Sequence, residues 1–235
     1  MRQRILTVFL FLFAVVLSLP ALNLNKYYYQ GIGKIPDKPL DYWVTLEFDD
    51  EDADFNIADM FKFMGGYKCI DKGKDINISV EIPGSSKATL TSKDNGLSIS
   101  GKVQTYEGPV QLWLLKVPRK LKKSTLSDSE LEPIIASSDG YTCFAILKPQ
   151  GGGKLSVTSE FSFTPGNRFK MICDSPSVQE IFKNFEGNYS ITEGVITLKT
   201  DSGTVLKGNI YDDGNYLMIP VGTKNGMDLT LVLIR

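Results

Sequence analysis

Ile76-Asn77-Ile78-Ser79-Val80-Glu81-Ile82 alternates apolar and polar residues without interruption. Successive side chains of an extended strand point to opposite faces, so this stretch reads as a strand with one buried side and one wet side. The same period of two recurs on both sides of it. Tyr42, Val44, Leu46 and Phe48 share one face, and Leu97, Ile99, Gly101 and Val103 alternate with Ser98, Ser100 and Lys102. Segment 110–117 is apolar on both faces, with Val110, Leu112 and Leu114 opposite Trp113, Leu115 and Val117. It reads as a central or sandwiched strand.

The second half continues the pattern. Segments 141–147, 154–163, 168–173, 194–200, 204–211, 216–221 and 227–234 all read as strands. Turn residues separate them, among them Thr164-Pro165-Gly166-Asn167, Asp201-Ser202-Gly203 and Lys224-Asn225-Gly226. Gly and Asn supply the positive φ that tight hairpins require. Short strands joined by short turns predict an all-β chain, an antiparallel sandwich or barrel with one or two short helices.

Three segments carry helical signals. Ile57–Met64 has room for two turns behind Asn56. Ser127 with Glu130 has capping-box spacing, and Pro133 is expected to end any helix that starts there. Ser175-Pro176 opens the best candidate, in which Val178, Ile181, Phe182 and Phe185 form one apolar stripe that would plug or cover a sheet.

The chain opens with Arg2 and Arg4, then an apolar run from Ile5 to Leu19, then Pro20 and Ala21. That order predicts a signal peptide over 1–21 and an exported, secreted or periplasmic protein. An uncleaved anchor over Ile5–Leu22 is the alternative. Residues 22–40 form a lead-in segment and 41–117 an N-terminal β unit. Residues 118–139, rich in Lys, Ser, Asp and Glu, form a polar linker or long loop, and 140–235 a C-terminal β unit. The run Lys116–Lys123 holds five cations in eight positions, with Asp128, Glu130 and Glu132 close behind to offset them. A faint echo relates Asp94–Val103 to Asp201–Ile210 and fits either a duplicated β unit or two hairpins obeying the same turn rules. The closing meander resembles small secreted lipocalin-like barrels in architecture, although no Gly-x-Trp opens the first strand.

The composition narrows the chemistry. Among 235 residues the net charge is −1 and histidine is absent. The balance gives no sign of nucleic acid as a partner. Without histidine there is no His-based triad and no His-bearing zinc or copper site. No P-loop, dinucleotide fingerprint or nucleophile elbow is present, so no cofactor is expected. Three cysteines are too few for a disulfide framework, so buried thiols are the plainer reading, and a Cys143–Cys173 disulfide is the alternative.

The remaining side chains supply the candidate site residues. Trp43, Trp113, Tyr106 and Tyr141 are the candidate ligand-facing aromatics, although rings are also the natural core of β proteins. Asp50, Asp52 and Asp54 stand at alternate positions, as calcium-binding loops require. Phe55 and Phe61 occupy the places of the glycine and bidentate glutamate of a helix–loop–helix site, so a solvated acidic loop is the plainer reading. Glu47, Glu81, Glu107, Glu160 and Glu193 could supply a carboxylate pair for hydrolysis, but no spacing selects two of them. The expectation is a non-enzymatic binding or cell-envelope accessory module. Its partner is a small apolar or carbohydrate ligand or another envelope protein. A surface structural or adhesive subunit associating through sheet edges is the alternative.

Overall fold

Ile76, Ile78 and Val80 do point to one side, and that side is the interior of a barrel. The computed structural model describes residues 24, 27–72, 75–82, 88–93, 96–105, 107–137, 140–173, 185–224 and 226–235. The first eight strands are β1 (Tyr28–Lys34), β2 (Asp41–Asp49), β3 (Asp52–Ile57), β4 (Phe61–Lys72), β5 (Asp75–Glu81), β6 (Ala88–Lys93), β7 (Ser98–Thr105) and β8 (Gly108–Val117). Each pairs antiparallel with the next, and β8 returns to β1 through seven residue pairs from Tyr28↔Val117 to Lys34↔Gln111. This closes an eight-stranded up-and-down barrel.

The next eight strands repeat the plan. They are β9 (Tyr141–Pro149), β10 (Leu155–Thr164), β11 (Arg168–Ile172), β12 (Phe185–Thr192), β13 (Val195–Thr200), β14 (Val205–Tyr211), β15 (Tyr216–Lys224) and β16 (Met227–Ile234). They too pair in sequence, and β16 returns to β9 through eight pairs from Met227↔Pro149 to Ile234↔Thr142. Each ring therefore encloses its own core. Tyr29, Phe48, Phe55, Ile78 and Leu90 belong to the first, and Phe161, Phe169, Met171, Leu198 and Leu231 to the second. An eight-stranded ring is just wide enough for side chains to fill it.

The rings are joined edgewise and face to face. Tyr42↔Leu155 and Asp41↔Ser156 continue the ladder from β2 to β10, and the Trp43 amide donates to the Lys154 carbonyl at 3.0 Å. Beside this seam, Ile32 stands between Trp43 and Trp113 on the outer side of the first barrel. Phe144 pairs with Val232 on the second. Together with Val117, Tyr216 and Ile234, residues Ile32, Trp43, Phe144 and Val232 form a third apolar cluster between the barrels, and Trp113 lies at its exposed margin against Phe144. The two-sided apolarity of 110–117 thus has its cause: Val110, Leu112 and Leu114 fill the first barrel, while Trp113, Leu115 and Val117 face the second.

The helix α1 (Asp128–Ile135) is the one α-helix among the described residues. The Glu130 carboxylate accepts from the Ser127 amide at 2.9 Å and from its hydroxyl at 2.6 Å. Pro133 lies inside the helix rather than ending it. In so short an element its missing N–H forfeits a single bond. Leu131 and Ile135 sink into the second core, and Asp128 accepts from the Glu193 and Gly194 amides of the β12–β13 turn. The helix is strapped across one end of that barrel.

One expectation needs correction. Ile57–Met64 is no helix. Ala58 and Asp59 both adopt positive φ, near 60°, and turn β3 into β4. The lead-in contains β1, which closes the first barrel. Segment 118–139 is docked on the second barrel, where the Asp212 amide donates to Lys122 O and the Ser124 amide to Ile210 O. The echoing hairpins hold different ranks, β6–β7 in the first barrel and the fifth and sixth strands in the second. A shared packing rule accounts for the echo. A Cβ at Gly101 would strike Thr89 O of β6, and one at Gly208 would strike Ile219 of β15. The predicted signal peptide and the stripe Val178, Ile181, Phe182 lie outside the described residues; Phe185, the last of that stripe, opens strand β12.

Candidate functional site

The outer faces of the two barrels diverge beyond the apolar seam and leave a groove of about 740 Å³. Its first wall comes from the turn before β7, the start of β7 and β8: Leu97, Ser98, Trp113, Leu115 and Lys116. Leu97 is 63% exposed and Trp113 37%. For large apolar side chains, such exposure marks an uncovered surface. The Trp113 ring is backed by Phe144, centroid to centroid 5.9 Å, and Phe144 in turn meets Trp43 at 5.3 Å. The exposed indole is therefore held from behind.

The second wall is polar except at Ile172, and strand alternation makes it so. Along β10 the inward residues Val157, Phe161 and Phe163 fill the barrel, while Thr158, Glu160 and Ser162 point out. Glu160 pairs with Thr142 of β9 and Ile172 of β11, and Ser162 pairs with Lys170. Hydroxyl, carboxylate and amine groups thus form a grid, with about 5 Å between strands and ~7 Å along one. A second pocket of about 250 Å³ runs on from Trp113 and Glu160 to Thr158 and Ser159.

Cations border the groove. The Lys116 ammonium sits 3.4 Å from the centre of the Tyr27 ring. The Arg235 guanidinium lies 5.3 Å from the Tyr141 ring and donates to Ile134 O at 2.6 Å, at the C-terminal end of α1. Burial pushes the Tyr141 phenol up to about 12, Arg235 opposing the rise and Tyr189 adding to it. Its hydroxyl donates to Gly214 O at 2.5 Å.

The predicted residues are thereby dispersed. Trp113 is on the groove. Trp43 is buried between the barrels. Tyr141 borders the groove but packs its ring into the second core. Tyr106 lies outside the described residues. Asp50 is in the β2–β3 turn at φ 39°, where its carbonyl accepts from the Tyr67 hydroxyl at 3.0 Å. Asp52 and Asp54 stand exposed on β3. Among the described residues no group of three or more His, Cys, Asp or Glu is placed to hold a metal. Asp52 and Asp54 lie on an extended strand and Asp50 in the turn before it, which spreads the three carboxylates instead of wrapping them round an ion.

The Cys143–Cys173 disulfide does not form; both cysteines are buried thiols. Strand β10 lies between them, for Cys143 pairs with Ser159 and Glu160 with Ile172. Two strand spacings are about 9–10 Å, beyond the ~7 Å between Cα atoms that a disulfide spans. Burial drives the Cys143 thiol far above its ordinary pKa, and Cys173 adds to the rise.

Of the five glutamates considered for hydrolysis, Glu160 alone lies on the groove. Glu47 is paired with Arg119, Glu107 accepts from the Tyr42 hydroxyl, and Glu193 is in the β12–β13 turn. The groove residues that sequence reasoning passed over, Thr142, Ser162 and Lys170, carry no motif. Their signal is only that they are the polar half of alternating strands. Comparison with protein-family models, curated proteins and solved structures finds no match for this chain.

Proposed function

We propose that this protein is an exported, non-enzymatic binding module whose ligand seat is the groove between its two barrels. The observation that carries the proposal is Trp113: a half-exposed indole, braced from behind and facing a polar wall across a groove of about 740 Å³. Small-ligand sites pair such apolar surface with a few convergent polar groups, in clefts of roughly 300–1,000 Å³. The two barrel interiors are occupied by side chains, so the groove is a better seat than a barrel mouth. The lone glutamate on the groove supports binding over hydrolysis, which needs two flanking carboxylates. Export rests on the Arg2–Ala21 leader pattern.

Association through sheet edges finds less support. Every described strand pairs on both sides, and ring closure removes the edges that such association uses.

The amphiphilic probe 8-anilino-1-naphthalenesulfonate tests the seat. Titrated into the full-length chain, it is expected to bind saturably and quench Trp113 emission, and Trp113→Ala should weaken it at least tenfold. No saturable binding, or binding indifferent to Trp113, contradicts the proposal. Export is tested separately, by the compartment and N-terminal residue of the mature chain in a secreting host. Intact chain retained in the cytoplasm contradicts it.

A further inference from the structure

We infer that the groove takes a neutral carbohydrate chain, one pyranose ring stacked on Trp113 with its hydroxyls turned to Glu160, Thr142, Ser162 and Lys170. The inference rests on the groove being the binding seat and names the chemistry that fits it.

The two walls differ in kind. On one side stand Trp113 and Leu97, exposed and apolar. On the other, neighbouring strand positions present a hydroxyl, a carboxylate, a second hydroxyl and an ammonium, with Ile172 the one apolar residue among them. A ligand that satisfies both must be apolar on one face and rich in hydroxyls around its rim. A pyranose is built that way, with a patch of C–H bonds over the ring and hydroxyls at its equator. The C–H patch is weakly positive and meets the negative face of the indole. The hydroxyls both donate and accept, which matches a wall holding a pure acceptor in Glu160 and a pure donor in Lys170.

Other ligand classes fit one wall only. An acyl chain would cover Trp113 and Leu97 but strip water from Glu160 and Lys170 without replacing their hydrogen bonds. A strongly anionic ligand would suit Lys170, but Glu160 stands against it, and the other two cations on the groove are already engaged, Lys116 over the Tyr27 ring and Arg235 with the Tyr141 ring and Ile134 O. The groove of about 740 Å³ and the adjoining pocket of about 250 Å³ share Trp113, Thr142 and Glu160, so the seat has room for more than one sugar ring. Phe144 fixes the indole before the sugar arrives, which spares the cost of ordering the ring on binding.

The test is calorimetry and tryptophan fluorescence on the full-length chain with four neutral hexasaccharides: cellohexaose, maltohexaose, mannohexaose and xylohexaose. Palmitate and 8-anilino-1-naphthalenesulfonate are run beside them. The inference expects saturable binding of at least one hexasaccharide, weakened at least tenfold by Trp113→Ala and about fivefold or more by Glu160→Gln. Circular dichroism checks that both variants remain folded, and Trp113→Phe should restore part of the affinity. Binding of palmitate or the naphthalene probe at Trp113 with no hexasaccharide bound overturns the carbohydrate inference and leaves the groove as seat. A hexasaccharide that binds both variants as well as the parent chain overturns it as well, by placing the sugar elsewhere. Absence of binding by every probe overturns the inference and the groove together.

Discussion

Replacing Phe144 by Ala removes the ring on which both tryptophans of the chain rest. Phe144 is fully buried, and its centroid lies 5.3 Å from Trp43 and 5.9 Å from Trp113. Phe→Ala in a packed interior costs about 3–5 kcal/mol. Aromatic pairs at these separations contribute ~0.5–1.5 kcal/mol each beyond area burial. The expected loss is therefore in the upper half of that range, about 4–5 kcal/mol. Phe144 points out of its own barrel, so the loss falls on docking rather than on either interior. The β2–β10 seam keeps the barrels attached meanwhile. Urea unfolding followed by tryptophan emission and by circular dichroism separates these effects. In the parent chain the two probes should report one transition. In Phe144→Ala the native emission should shift to the red as Trp43, now 5% exposed, meets water, and the emission transition should precede the loss of β signal. Ile196→Val, inside the second barrel, should leave the native emission unmoved. A cost below about 1 kcal/mol with unshifted emission would refute the placement of Phe144 between the barrels.

Tyr141→Phe should destabilise by about 1–2 kcal/mol, because the Gly214 carbonyl loses a buried donor; chemical denaturation checks it, and unchanged stability would show that the bond is absent. Thiol labelling with mass detection should mark Cys69 alone in the native chain and all three cysteines in denaturant; fast native labelling of Cys143 would contradict its burial. Desolvation raises the Asp41 carboxyl above its ordinary value, with Lys34 opposing. Its folded form thus binds a proton more tightly than its unfolded form, and the stability this contributes is full below about pH 4 and is lost as pH rises through the folded value. Asp41→Asn should therefore gain on the parent as pH rises from about 3.5 to about 7, as read from paired denaturation curves; a relative loss with rising pH would reverse the sign.

The alternating strands were legible because alternation is a local property. Ile76–Ile82, Tyr42–Phe48 and the outward polar row of β10 follow directly from side-chain chemistry. The β3–β4 hairpin was not, because its turn relies on positive φ at Ala58, a residue that gives no such signal, and because Ile57, Phe61 and Met64 also fit a helical stripe. Pairing is a non-local property. Nothing in 110–117 says that β8 returns to β1, although its two apolar faces did announce that it would be covered on both sides. The site shows the same division. Trp43 and Trp113 are alike in sequence, and only the docking of the barrels buries one and leaves the other half exposed. Glu160 was one of five strand or turn glutamates until Thr142, Ser162 and Lys170 were brought beside it. The disulfide failed for a reason of register, since β10 separates the two cysteines.

Amide and α-proton Overhauser contacts across the closing strand pairs test the two-barrel fold most directly. Two independently closed rings predict cross-strand contacts for Gly31↔Leu114 and Ile32↔Trp113 at the first closure, and for Ala145↔Leu231 and Cys143↔Leu233 at the second. Absence of either set, with rapid amide exchange along β1 and β8 or along β9 and β16, would contradict that architecture and remove the groove built between its halves.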